Sequence, residues 1–178
     1  MADEGQRERR CAAEDLGGAT ARPRAGAGDT RRLWGTWDRF GRWRSPRWRS
    51  WVRTLPCVCN GSYQTIAAHF RYGSQVGTGA KPDDFLVYPV THETHQRWHQ
   101  TGQPSWAQQA EWVAGVWRMA ARRGLLAITD TAGFMAVEQL TSVQDGAFNY
   151  DNAVRNLRAA LETESVLITG PAGGWIDF

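Results

Sequence analysis

Helical spacing of apolar residues is clearest between Trp106 and Arg123, where Trp106, Ala110, Val113, Trp117 and the Ala120/Ala121 pair recur on one face. Ser105 followed by Gln108 spells a capping box before this helix, Gly124 stands where a C-terminal glycine belongs, and Arg122 and Arg123 suit the helix dipole. Leu125 to Thr129 follows at once and reads as a buried strand. Val154, Leu157, Ala160 and Leu161 form the stripe of a further helix capped by Asp151, and Ser165 to Thr169 returns as a strand. Upstream, Phe85 to Tyr88 is a run of strand formers closed by Pro89, and Thr91 is placed to cap a short helix through Gln100. Tyr63 to Tyr72 predicts a short helix and Gly73 to Pro82 a Gly-rich loop. Phe134 to Val143 predicts a strand, with alternation poor enough to leave a helix open. This order predicts an α/β or α+β fold, a two-layer sandwich in which a small mixed sheet carries helices on one face.

Before Leu55 the pattern lapses. Residues 1–30 mix Gly, Ala, Pro, Arg and acids without aromatic or branched apolar periodicity, so they bury too little to offset the entropy of ordering. Residues 31–53 interleave Trp34, Trp37, Phe40, Trp43, Trp48 and Trp51 with Arg, while Gly35, Gly41 and Pro46 interrupt any continuous helix. The chain therefore divides into a disordered, Arg/Trp-rich basic arm over residues 1–54 and a small α/β domain over 55–178. A competing expectation is that translation starts downstream and the arm is not made.

Charge sharpens the division. Residues 31–53 hold eight Arg against Asp38 alone, a net +7, whereas residues 54–178 carry a net −3. The basic pI thus belongs to one short stretch. Lys81 is the one lysine, so Arg richness also fits GC-rich coding. Interleaved Arg and Trp suit single-stranded nucleic acid or an anionic membrane surface, with Arg42, Trp43, Arg44, Arg47, Trp48, Arg49 and Trp51 as the contact candidates. Three scattered cysteines, and no apolar run of about 20 residues to act as a spanning helix, point to a soluble, cytoplasmic protein.

Three of the four histidines lie close together. At about 100° per residue, His92, His95 and His99 fall within an arc of roughly 60° on one helix face. His95 and His99, one turn apart, could share one Zn or other transition-metal ion with Glu93 or Asp84 as a carboxylate, whereas His92 and His99 are separated by about 10 Å along the axis. The competing expectation is a solvated polar face. Asp130-Thr131-Ala132-Gly133 looks like the Asp-x-x-Gly segment of small GTPases, but Gly73 to Pro82 lacks the Gly-Lys-Ser/Thr ending of a phosphate loop. Asp130, Thr131 and Gly133, with Gly170 and Gly173 of the later Gly-rich run, are ligand-loop candidates at the ends of predicted strands. No Gly-x-Ser-x-Gly elbow is present, Cys57-Val58-Cys59 has no matching pair for a zinc ribbon, and Asp83-Asp84 and Glu162/Glu164 read as solvated charges.

From Ala121 to Thr129, with Gly133-Phe134 and Gln144-Asp145-Gly146-Ala147, the chain resembles a family of small uncharacterised bacterial domains over about residues 105–165. Where that family carries Ser-Gln-Pro-Gly, this chain has Asp130-Thr131-Ala132-Gly133. The resemblance implies an intracellular bacterial origin and supplies no catalytic residues. The expectation is a small non-catalytic accessory or interaction protein, with metal chemistry at the histidine face and nucleic-acid association through the arm as alternatives.

Overall fold

The computed structural model describes residues 34–70, 81–142 and 150–169. The fold is α+β, with small antiparallel sheets and five helices among the described residues. In chain order these are β1 (Thr36–Trp37), β2 (Trp43–Arg44), α1 (Pro46–Val52), β3 (Thr65–His69), β4 (Val87–Thr91), α2 (His92–Thr101), α3 (Trp106–Arg122), β5 (Leu126–Ile128), α4 (Thr131–Thr141), α5 (Tyr150–Glu162) and β6 (Val166–Ile168). The strands pair as β1–β2, β3–β4 and β5–β6, each a separate antiparallel ladder. The single mixed sheet expected from the element order is therefore replaced by three two-stranded ladders. Strands this short cannot form a core among themselves, and the common core combines helical residues with buried residues of β4, β6 and the connecting segments.

α3 is the central element. Ser105 accepts a hydrogen bond from the Gln108 N–H at its start, and Gly124 takes a left-handed φ of 68° beyond its end, as the sequence signals require. Val113, Ala114, Trp117 and Ala120 are buried, and the helix packs on β4 and α4. The Trp117 indole donates to the Phe85 carbonyl at 3.0 Å, tying α3 to the chain leading into β4. α2 begins at its Thr91 cap as expected.

Two segments take the other secondary structure. The helix expected over Tyr63 to Tyr72 is strand β3, in register with β4 from Thr65↔Thr91 to His69↔Val87. The strand expected over Phe134 to Val143 is helix α4, because Asp130 caps it and Gly133, Ala136, Val137 and Leu140 make a helical stripe against the core. Asp151 lies in the first turn of α5 rather than at its cap.

Residues 34–53, expected in the arm, pack with the residues that follow them. Trp34, Trp43, Trp48, Trp51 and Val52 belong to the same buried cluster as α3 and β4. Trp48 is fully buried, with its ring centroid 4.9 Å from Trp51 and 5.3 Å from Trp117. The Trp34 N–H donates to Ile168 at 2.9 Å, which fastens this segment to β6. Large indoles supply the buried area that the missing Leu, Ile and Val would otherwise give. Gly35 is required here, since a Cβ at that position would come within 2.0 Å of the Trp43 indole. Residues 1–33, where the remainder of the expected arm lies, are outside the described residues.

Candidate functional site

Asp83 and Asp84 precede β4 and are buried, contrary to their expected solvation. Asp83 accepts the Trp43 N–H at 2.6 Å and an Arg158 N–H at 2.8 Å. Asp84, whose side chain is 2% exposed, accepts the Ser45 N–H at 2.8 Å and sits 3.2 Å from Arg49 Nε and 3.5 Å from Arg44 Nη1. His69 completes the group: its Nε2 lies 2.9 Å from Asp84 Oδ1, with the imidazole 16% exposed. The two neighbouring carboxyls respond differently. Burial pushes Asp83 upward more strongly than Trp43, Arg158, Arg44 and Arg42 pull it down. Burial also opposes ionisation of Asp84, but His69, the Ser45 N–H and Arg49 together hold it below the usual carboxylate range.

The β3–β4 register explains how His69 meets Asp84. Ala68 pairs with Tyr88 and His69 with Val87, so alternation sends Tyr88 to one face of the hairpin and His69 to the other. Tyr88 meets Trp98 of α2 and Trp112 of α3 at centroid separations of 6.5 and 5.2 Å. His69 reaches Asp84 beside Arg49 of α1. A His–Asp pair of this kind directs one ring nitrogen at the carboxylate and leaves the other, Nδ1, as the basic nitrogen.

The α2 histidines form a second group across the hairpin. His95 and His99 stand edge to face with ring centroids 4.7 Å apart, His95 half-buried and His99 exposed, while His92 is exposed at the helix start. Two imidazoles so placed can share one metal ion. Asp84, considered as their carboxylate, is instead engaged by His69, Ser45 and Arg49. Among the described residues no three His, Cys, Asp or Glu side chains converge as a metal site. Cys57 is buried and Cys59 exposed; burial, then the neighbouring Cys57, raises the Cys59 thiol to about 11.

The ligand-loop candidates are accounted for locally. Asp130 accepts the Gly133 N–H at 2.8 Å and the Ser165 hydroxyl at 2.7 Å, so one oxygen caps α4 and the other ties it to the residue before β6. Those two donors, Gly133 first, lower the carboxyl. Thr131 opens α4, and Gly133 lets the helix approach β6, because a Cβ there would come within 2.1 Å of the Ser165 carbonyl oxygen. Gly170 and Gly173 lie outside the described residues. Of the nucleic-acid candidates, Trp43, Trp48 and Trp51 are buried and their rings cannot stack on a base. Arg44 and Arg49 are drawn to Asp84, Arg42 is half-buried and donates to the Lys81 carbonyl, and Arg47 is exposed.

Residues 38–112 match a family model described as Protein of unknown function (DUF968). The expected likeness to a domain of unknown function is thus met, over a segment reaching further toward the N-terminus than residues 105–165 and spanning less than half of the chain. The matched segment holds all four histidines, Asp83, Asp84, Arg44 and Arg49. No curated protein and no solved structure matches the chain. No helix among the described residues is long and apolar enough to cross a membrane.

His69 is the residue that sequence reasoning passed over. Its only signal was the strand-like run Thr65-Ile66-Ala67-Ala68 before it. With that run taken as helical, nothing brought residue 69 to residue 84.

Proposed function

We propose that this chain hydrolyses a phosphodiester of a nucleic acid, with His69 as the general base and Asp84 as the residue that orients it. The His69–Asp84 contact at 2.9 Å carries this reading. Nδ1 takes a proton from the attacking water as its oxygen bonds to phosphorus and the P–O ester bond breaks; Asp84 stabilises the imidazolium so formed, and the departing oxygen takes its proton from solvent. Arg44 and Arg49 border the pair and favour a substrate of negative charge. Exposed Arg39, Arg47 and Arg53 extend that cationic character along β1–β2 and α1. The test incubates the full chain with labelled single-stranded DNA, duplex DNA and RNA, with and without Mg, Mn, Zn or Ni. Cleavage that His69→Gln abolishes while circular dichroism stays unchanged supports the reading. Cleavage undiminished in that variant, or none by the parent under any condition, overturns it.

A second reading rests on the His95–His99 ring pair, which suits one Zn or Ni ion. Stoichiometric metal in the purified protein, lost in a His95→Ala/His99→Ala double variant, supports it. Metal-free protein whose stability the double variant leaves unchanged removes it.

A further inference from the structure

The tip of the β1–β2 hairpin presents chemistry that the buried indoles do not. Asp38 builds the turn: its Oδ1 accepts the N–H groups of Phe40 and Arg42 at 2.9 Å each, and its backbone exchanges hydrogen bonds with Arg42 and Gly41. Gly41 has a φ of 67°, a left-handed value that suits glycine. The acidic side chain is thus engaged by the turn and by Arg44, and the Arg42 N–H first, then the Arg44 side chain and the Phe40 N–H, hold it below the usual carboxylate range against the opposing effect of burial. Above this turn Phe40 is 66% exposed, with the Arg39 and Arg42 guanidinium carbons 4.6 and 5.7 Å from its ring centroid. Arg42 also donates to the backbone carbonyl of Lys81, an exposed residue, so a third cationic residue adjoins the turn.

A single exposed aromatic side chain needs no explanation in itself. A ring on a pinned turn, flanked by guanidinium groups and a lysine residue while the Asp38 carboxylate is engaged by the turn and Arg44, offers a base-stacking face and phosphate partners together. We propose that Arg39, Phe40, Arg42 and Lys81 form a contact site for single-stranded nucleic acid, Phe40 stacking on a base while the cations meet neighbouring phosphates. Arg44 links this tip to the histidine: its guanidinium lies 3.0 Å from Asp38 and 3.5 Å from Asp84, which holds His69. Arg44 is thus shared between the carboxylate that builds the tip and the carboxylate that holds His69. The inference shares the nucleic-acid partner of the proposed function but does not require hydrolysis.

The test is fluorescence anisotropy of the full chain with labelled oligothymidylate and oligouridylate of about 20 nucleotides, and with a duplex of equal length. Phe40→Ala is expected to weaken single-strand binding about 10-fold or more, and Phe40→Trp to retain it. Arg39→Gln/Arg42→Gln is expected to reduce the log–log salt slope by about 1.4, as for two lost phosphate contacts. Phe40 is exposed, so unchanged circular dichroism verifies folding of its variants. Parent-like binding by Phe40→Ala, duplex binding as tight as single-strand binding, or no binding by the parent overturns the site. Phe40-dependent binding without cleavage supports the site and removes only the hydrolytic reading.

Discussion

Trp48→Ala examines whether residues 34–53 belong to the folded unit. Trp48 is fully buried and touches Trp51 and Trp117, so truncation removes an entire indole between α1 and α3. Its Nε1 makes no hydrogen bond among the described residues, so no polar pairing there is lost. The cost is then transfer plus cavity, about 3–5 kcal/mol. Against a total stability of about 5–15 kcal/mol, this is a large fraction. At a urea slope of about 2 kcal/mol/M it lowers the midpoint by roughly 1.5–2.5 M. Trp48→Phe keeps a ring in the site and removes the buried unpaired N–H, so its cost falls to about 1–2 kcal/mol. Urea unfolding followed by near-UV circular dichroism measures both. A Trp48→Ala midpoint within about 0.5 M of the parent would refute the packing described here.

Three other perturbations address separate parts of the account. Gly133→Ala ordinarily gains about 1 kcal/mol in a helix, but its Cβ would meet the Ser165 carbonyl oxygen at 2.1 Å; overpacking reverses the sign to a net loss of about 1–2 kcal/mol in thermal or urea unfolding. The fold lowers the Asp84 carboxyl, so the stability it contributes is complete above an unfolded value of about 3.9 and is lost as pH falls through the folded value; the deficit of Asp84→Asn relative to the parent should shrink on acidification below about pH 4. Asp83 is raised, so its contribution is complete below about pH 3.9 and is lost as pH rises through its folded value; Asp83→Asn should improve relative to the parent as pH rises above about 4 in pH-dependent unfolding.

Much of the helical framework was legible because local signals and core packing agree there. Ser105, Thr91 and Gly124 mark helix ends by hydrogen-bond and dihedral requirements that need no distant partner. The strand Leu126–Ile128 and its partner Val166–Ile168 were visible as short apolar runs. α4 was misread because Phe134 and Met135 are exposed, so apolar residues on its outer side masked the inward stripe. The burial of Trp34, Trp43, Trp48 and Trp51 was not legible because charge count says nothing of where an indole points. The arginines around Trp43 and Trp48 remain at the surface or meet the Asp83/Asp84 pair, while the rings turn inward.

The site was the least legible part, since it depends on contacts distant in sequence. The α2 histidines share an element and could be grouped by periodicity, but they do not meet His69. His69 and Asp84 come together only through the antiparallel register of β3 and β4, and Arg44 and Arg49 join from a segment expected to be disordered. A family match confined to residues 38–112 covers this assembly and gives no activity to it.

The most direct test of the central claim is the nucleic-acid cleavage rate of His69→Gln against the parent, measured with binding on the same substrate. The account predicts loss of at least about 100-fold in rate, as for removal of a general base, with binding retained. A variant that binds and cleaves at the parent rate would contradict it.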